Sequence, residues 1–180
     1  MNEVQPIRSK EKIEEVKLVL KHDSYRDYFL FVMGINTGLR ISDLLPLQVK
    51  DVRNKTHITI KEKKTDKHKR FVINSTLRKE IDEYTANMHD EDYLFPSQRT
   101  KKPIQRVQAY KILNRAAEKV GLTEIGTHTL RKTFGYHYYK RTKDVAMLQE
   151  IFNHSAPSVT KRYIGITQDE IDKSLEDFYL

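Results

Sequence analysis

The 180-residue chain contains no cysteine, which excludes disulfides and thiolate metal sites and is compatible with a reducing interior. Long apolar runs are also missing. No stretch approaches the roughly 20 residues of a membrane-spanning helix, and the opening MNEVQPIRSKEK lacks the apolar core of about 7–15 residues that marks a secretory signal. There is no internal repeat, no low-complexity segment, and no converging set of carboxylates of the kind a two-metal nuclease needs. These absences predict an intracellular, cytoplasmic protein with no membrane partner. Positive charge, by contrast, is abundant: 33 Lys and Arg against 25 Asp and Glu leave a net charge of +8. The plainer reading is a basic surface. The other is a polyanionic partner, for which nucleic acid is the commonest candidate.

The length suits one domain with a real core, and hydrophobic periodicity makes that domain mainly helical. Ile13, Val16 and Leu20 recur at i, i+3, i+7 within Ser9 to Lys21. Ser24 and Asp27 form a capping-box-like start for a second helix that Gly38 stops. Tyr25, Tyr28, Phe29, Val32, Met33 and Ile35 make that helix apolar on most sides, so it is expected at the centre of the core. Gln48 to Val52, Thr56 to Ile60 and Lys69 to Asn74 alternate as short strands and predict a small three-stranded antiparallel β-sheet. Ser75 opens a helix carrying Leu77, Ile81, Tyr84 and Met88, and residues 89–102 read as a loop with a basic end. A helix over Ile104 to Val120 carries a stripe of Val107, Tyr110, Leu113, Ala117 and Val120, and Thr167 with Glu170 caps a last helix whose Ile171, Leu175 and Phe178 face one way.

The segment from His128 to Tyr163 collects groups that suit a phosphate. Gly126 breaks the preceding structure, and Thr127 is expected as the cap of a helix with His128 in its first turn. Arg131, three residues on, shares its face. Leu130, Phe134 and Tyr138 form a separate stripe to bury, so the polar pair is expected to look outward beside the positive end of the helix dipole. Val145, Leu148 and Phe152 predict a second helix ending at Asn153 and His154. Ser155 and Pro157 then read as the cap and first turn of a short helix carrying Tyr163. His154 and Tyr163 lie nine positions apart, and Arg131 and His154 twenty-three.

This order and spacing resemble the catalytic half of a tyrosine recombinase of the phage integrase family. Upstream, Thr37-Gly38-Leu39-Arg40-Ile41-Ser42-Asp43-Leu44 is similar to that family's first box. Lys64-Thr65, within ITIKEKKTDKHKRFVI, resembles the hairpin bearing its lysine, with Lys63 as the neighbouring alternative. The resemblance runs from Ser9 to Leu180, and its specificity comes from six residues matching in order and distance. One departure is Phe152-Asn153-His154, where the family often has Leu-Gly-His; asparagine tolerates the left-handed conformation that glycine would adopt.

What the resemblance implies is specific. The fold is mainly α with a small antiparallel sheet, and the activity is cleavage and rejoining of DNA strands through a 3′-phosphotyrosine. Tyr163 is then the nucleophile. A phenol, with its pKa near 10, is a poor nucleophile until oriented and deprotonated. Arg40 and Arg131 present charged forks to the phosphate, with His154 as a third donor. Lys64 protonates the leaving 5′-oxygen, His128 assists the tyrosine or a phosphate oxygen, and Asp43 orients its neighbours. Neither metal nor any other cofactor is implied. The partners are double-stranded DNA and further recombinase protomers in a tetramer, and a terminal helix such as that ending in residues 176–180 docks on a neighbour or folds back on its own chain. A separate helical core-binding domain usually precedes the catalytic one. Here about forty residues precede the first box, so 1–180 reads as a single catalytic domain.

Lys67, Arg99, Lys101, Lys102 and Arg106 are candidate phosphate contacts beyond the site, which would position DNA without reading its sequence. Taken singly, each candidate has a plainer reading. Tyr163 is one of ten tyrosines, and Lys64 lies among seven basic residues between Lys61 and Arg70. Two other functions stay open: a DNA-binding or regulatory remnant that does not complete recombination, and a supercoil-relaxing relative of the topoisomerase IB type.

Overall fold

The computed structural model describes residues 3–180. Its elements, in chain order, are α1 (Lys10–Asp23), α2 (Tyr25–Thr37), α3 (Ile41–Leu44), β1 (His57–Lys61), β2 (His68–Val72), α4 (Ser75–Thr85), α5 (Arg106–Lys119), α6 (Thr129–Thr142), α7 (Val145–Phe152), α8 (Pro157–Tyr163) and α9 (Ile166–Leu175). Among the described residues, no helix is long and apolar enough to cross a membrane.

The core is built on α2, as its apolar girth predicts. Phe29, Leu30, Phe31 and Met33 are all fully buried, and α1, α4 and α6 pack around them. Ser24 caps α2 by accepting from the backbone of Asp27, and Gly38 ends it in the left-handed conformation, φ 66°. A Cβ at Gly38 would lie 2.5 Å from the Phe134 ring of α6, so glycine is demanded by both the turn and the contact. A second, smaller core lies beneath α6, α7, α8 and α9, centred on Tyr136, Tyr139, Leu148, Phe152, Ile164 and Ile166.

The sheet has two strands, not the three expected. β1 and β2 pair antiparallel, with Ile60 opposite Lys69. The segment Gln48 to Val52 instead forms a 3₁₀ turn over Val49–Asp51. Its alternation misleads because Val49 and Val52, three apart, are both fully buried on one side of a turn. The Gln48 N–H donates to Asp51 Oδ2 at 2.8 Å, and the Val49 N–H donates to the Asp92 carbonyl at 2.9 Å. Only a single bridge, Gln48 to Tyr93, remains strand-like.

Several helix boundaries and faces also shift. Helix α6 is capped at His128 rather than Thr127, and the Thr129 hydroxyl accepts from the Gly126 N–H at 2.9 Å. Ala156 and Gly165, not Ser155 and Thr167, precede α8 and α9. Helix α5 buries Ala109, Leu113, Ala116 and Ala117, while Val107 and Tyr110 of the expected stripe are exposed. Helix α9 is seated through buried Ile166 and through Glu170, which accepts from the Tyr139 hydroxyl at 2.8 Å. Its Ile171 and Leu175, with Phe178 beyond it, do face one way, and that way is outward.

The segment ahead of α1 forms a strap across α6. The Ile7 N–H donates to Thr133 Oγ1 at 2.9 Å, and His137 Nε2 reaches the Ile7 carbonyl at 2.9 Å. Arg8 then spans the joint between α8 and α9, donating to the Gly165 carbonyl at 3.1 Å and pairing with Asp169 at 3.0 Å.

Candidate active site

Five elements converge at the front of α6. Arg40 stands at the N-cap of α3, Lys64 in the turn between β1 and β2, and His128 and Arg131 at the start of α6. His154 follows the end of α7, and Tyr163 is the last residue of α8. Arg40, Lys64, His128 and Arg131 line one cleft of ≈ 240 Å³, together with Ile41, Ser42, Arg106 and Thr127. The Tyr163 hydroxyl lies 3.5 Å from His128 Nδ1. The rings of His154 and Tyr163 meet edge to face with centroids 5.1 Å apart. All six residues expected to act together are therefore in one neighbourhood.

Arg131 does not look outward as its helical spacing suggested. It is 5% exposed, and its guanidinium donates to the Gly38 carbonyl at 2.6 Å and the Phe152 carbonyl at 2.9 Å. These two bonds tie the ends of α2 and α7 to α6. Burial lowers its pKa to about 10, which leaves it charged at neutral pH. The Phe152 ring packs against that guanidinium at 4.2 Å and edge-on to His154 and Tyr163, so one side chain spaces three members of the site. Its room comes from Gly135, where a Cβ would lie 2.7 Å from Phe152 and 2.6 Å from Ile164.

The turn after α7 keeps the geometry that glycine commonly supplies. Asn153 is left-handed at φ 57°. Its side-chain carbonyl accepts from Lys67 at 2.8 Å, so Lys67 is engaged beside His154. Gln149 brackets His154, accepting from its N–H at 3.0 Å and donating to its carbonyl at 3.1 Å.

Electrostatically the site is a cluster of cations, balanced in part by the buried carboxylates of Glu62 and Asp43. His154 is lowered to about 4, first by burial and then by Arg131, Arg40, Lys64 and Lys69, so its imidazole is neutral at pH 7. His128 is also held below the usual histidine value, by the cleft walls around its ring and then by Arg106, Lys132, Arg131 and Lys64. A neutral imidazole can accept a proton. Burial raises the Tyr163 phenol, while Arg131 and Arg40 pull it the other way by favouring phenolate.

Lys64 points into the cleft, whereas Lys63 lines a separate one with Asp43 and Asp51. Asp43 is buried and accepts from the Lys63 backbone N–H at 3.0 Å, which fixes the root of the lysine turn. Arg106 reaches the cleft from the start of α5. Arg99, Lys101 and Lys102 do not line it; they sit on the exposed turn between Pro96 and Pro103, leading into α5.

Sequence reasoning missed Glu62. It is 4% exposed and forms a salt bridge with Arg40, with Lys69 3.8 Å from its other oxygen. Lys69 in turn donates to the Glu150 and Ile151 carbonyls at the end of α7. A signal existed: Ile58, Ile60 and Glu62 fall at strand period, so the inward row of β1 continues one residue past the strand into a carboxylate. The run of charge around it masked that period.

Residues 9–170 match the sequence pattern of the phage integrase family. The chain is 62% identical over 169 residues to the probable integrase/recombinase YoeC of Bacillus subtilis, covering 94% of this chain and 93% of that protein. A crystal structure of XerA recombinase aligns with a TM-score of 0.73 at 22% identity, covering 97% of this chain and 65% of that one. The XerH site-specific recombinase, bound to palindromic difH substrate in a post-cleavage complex, aligns with a TM-score of 0.72 at 19% identity, covering 98% of this chain and 54% of that one. The chain thus spans roughly half to two thirds of the length of these solved recombinases.

Proposed function

The chain belongs to the phage integrase family as a tyrosine recombinase catalytic domain, and on that premise we propose that it cleaves and rejoins DNA strands through a 3′-phosphotyrosine on Tyr163. The observation that carries this reading is the Tyr163 hydroxyl, 3.5 Å from His128 Nδ1, beside a cleft lined by Arg40, Lys64 and Arg131.

The scissile phosphate sits in that cleft. The Tyr163 oxygen attacks phosphorus as its proton passes to His128, which is neutral and so able to take it. Arg40, Arg131 and His154 donate to the non-bridging oxygens as their charge concentrates, the kind of stabilisation whose loss costs about 10²-fold or more per donor. The phosphorus–5′-oxygen bond breaks, and Lys64 supplies the proton that the leaving oxygen needs. The phosphotyrosine conserves the bond, and a 5′-hydroxyl from the same or another strand attacks it to release Tyr163. Neither a metal nor any other cofactor enters this sequence of steps. Lys67, Arg99, Lys101, Lys102 and Arg106 hold flanking phosphates of the duplex. Further recombinase protomers assemble on the DNA, with the outward apolar face of α9 as a contact between them.

Incubation with a nicked suicide substrate, followed by a denaturing gel, tests this for the wild type and Tyr163→Phe. The expected result is a covalent protein–DNA band that vanishes in the variant. Both proteins shifting DNA with no band from either would assign the chain to DNA binding without cleavage. An undiminished band from Tyr163→Phe would remove Tyr163 as the nucleophile.

A further inference from the structure

His154 is neutral, so its imidazole carries one proton, and the nitrogen that holds it decides what the ring offers a phosphate. Protonated at Nε2, the ring donates with its outer nitrogen. Protonated at Nδ1, it presents a lone pair to an anion and repels it. Everything else about the residue is already fixed. Gln149 brackets its backbone, and the rings of Phe152 and Tyr163 lie edge-on to its own. The tautomer is the one choice left.

Thr160 of α8 makes that choice. It is fully buried at 0% exposure, and its Oγ1 lies 2.9 Å from His154 Nδ1. Among the described residues, this is the only hydrogen bond the hydroxyl makes. A hydroxyl has a single proton, and a buried donor without an acceptor is unfavourable. If Nδ1 carried the proton, it would donate to Oγ1 and leave the hydroxyl hydrogen with nothing to meet. If the hydroxyl donates to Nδ1, the buried hydroxyl and Nδ1 are both satisfied and the ring proton sits on Nε2, free to meet an incoming acceptor. We infer that Thr160 is a positioning residue that holds His154 in its Nε2–H tautomer and thereby makes it a hydrogen-bond donor to the scissile phosphate. The inference rests on the recombinase reading only for the identity of the acceptor; the tautomer stands independently.

Thr160 also lies three residues before Tyr163 on the same short helix. The group that arms the phosphate donor and the nucleophile itself are therefore carried by one rigid turn of α8, so a shift of that helix moves both together.

The test has two arms. Long-range proton–nitrogen correlation spectra of ¹⁵N-histidine protein at pH 7, without DNA, report the tautomer, with the His154 signal assigned by its loss in His154→Asn. The wild type and Thr160→Ser should show the Nε2–H form. Thr160→Val, similar in shape but without the hydroxyl, should lose that preference while its amide spectrum stays that of the folded protein. In the second arm, the suicide-substrate rate should fall about 10²-fold in Thr160→Val, the scale of a lost transition-state donor, with DNA affinity unchanged and Thr160→Ser retaining most of the rate. An Nδ1–H wild type, or a Thr160→Val protein with the wild-type tautomer, overturns the inference. So does a Thr160→Val protein that cleaves as fast as the wild type. If the wild type itself never cleaves, the recombinase reading fails while the spectra still decide the tautomer.

Discussion

Glu62 is a buried acid in a site that needs positive charge, and its value lies in what it does to Arg40. The carboxylate takes one edge of the guanidinium and leaves the rest to the cleft. Glu62→Ala should slow covalent-complex formation roughly tenfold or more, within the range for a misdirected transition-state donor, while Glu62→Gln keeps an acceptor and loses less. In an Arg40→Ala background, the same change should have no further effect, because coupled residues are not additive. Comparing the four cleavage rates checks this. The two histidines set the response to pH. Because the cleft walls and neighbouring cations disfavour imidazolium at His128, the cleavage rate should hold steady through the ordinary histidine range near 6.5 and fall only at lower pH. Stability follows His154: its folded pKa, about 4, is depressed below the unfolded value, so the unfolded chain binds the extra proton first. Stability should therefore be lost as pH falls from about 6.5 toward 4, measured by urea melts at stepped pH. The six catalytic candidates were legible through the resemblance to the phage integrase family, whose boxes they match in order and distance. The burial of Glu62 was hinted at by its place in the strand period and masked by the charge around it. Its pairing with Arg40, 22 residues away, and that of Thr160 with His154, 6 away, were not legible because those side chains meet only in the fold.

Elements place these groups through a few tight crossings. Gly135 lets Phe152 and Ile164 lie directly against α6. Gly135→Ala improves helix propensity by up to about 1 kcal/mol, yet its methyl must enter space held by two fully buried side chains, an overpacking cost of about 1–3 kcal/mol. The net effect expected in denaturant melts is destabilisation, with cleavage reduced more than DNA binding. The helices themselves were legible from period and caps, with α1 and α2 beginning where their serines predict. The 3₁₀ turn at Val49 was not, because five residues of alternation cannot distinguish a strand from a turn whose hydrogen bonds run to a distant loop at residues 90–92. The face of α5 was misread for a related reason. Small alanines fill its tight seam, and the larger Val107 and Tyr110 are left to solvent.

At the scale of the whole molecule, net positive charge and the lysine-rich turns predict binding that weakens steeply with salt. Replacing Arg106 or Lys101 by Ala should lower the slope of log affinity against log salt by about one each, readable by fluorescence anisotropy. Composition pointed to a polyanionic partner, but not to the surface that would meet it. The strap ahead of α1 has a consequence for how the protein is made. Its hydrogen bonds join Ile7 to Thr133 and Arg8 to Asp169, across 126 and 161 residues of chain. Contacts of such separation close the largest loops, and folding defers them. During synthesis, the strap is made 161 residues ahead of the Asp169 that receives it and must wait for that residue. Pulsed hydrogen exchange during refolding should find the Ile7 amide among the last protected. The bonds that seat Arg131 span only 93 and 21 residues, so the cleft around it is expected to form before the joint behind Tyr163 is locked. On the proposed function, a partly folded molecule should then hold phosphate before it can cut.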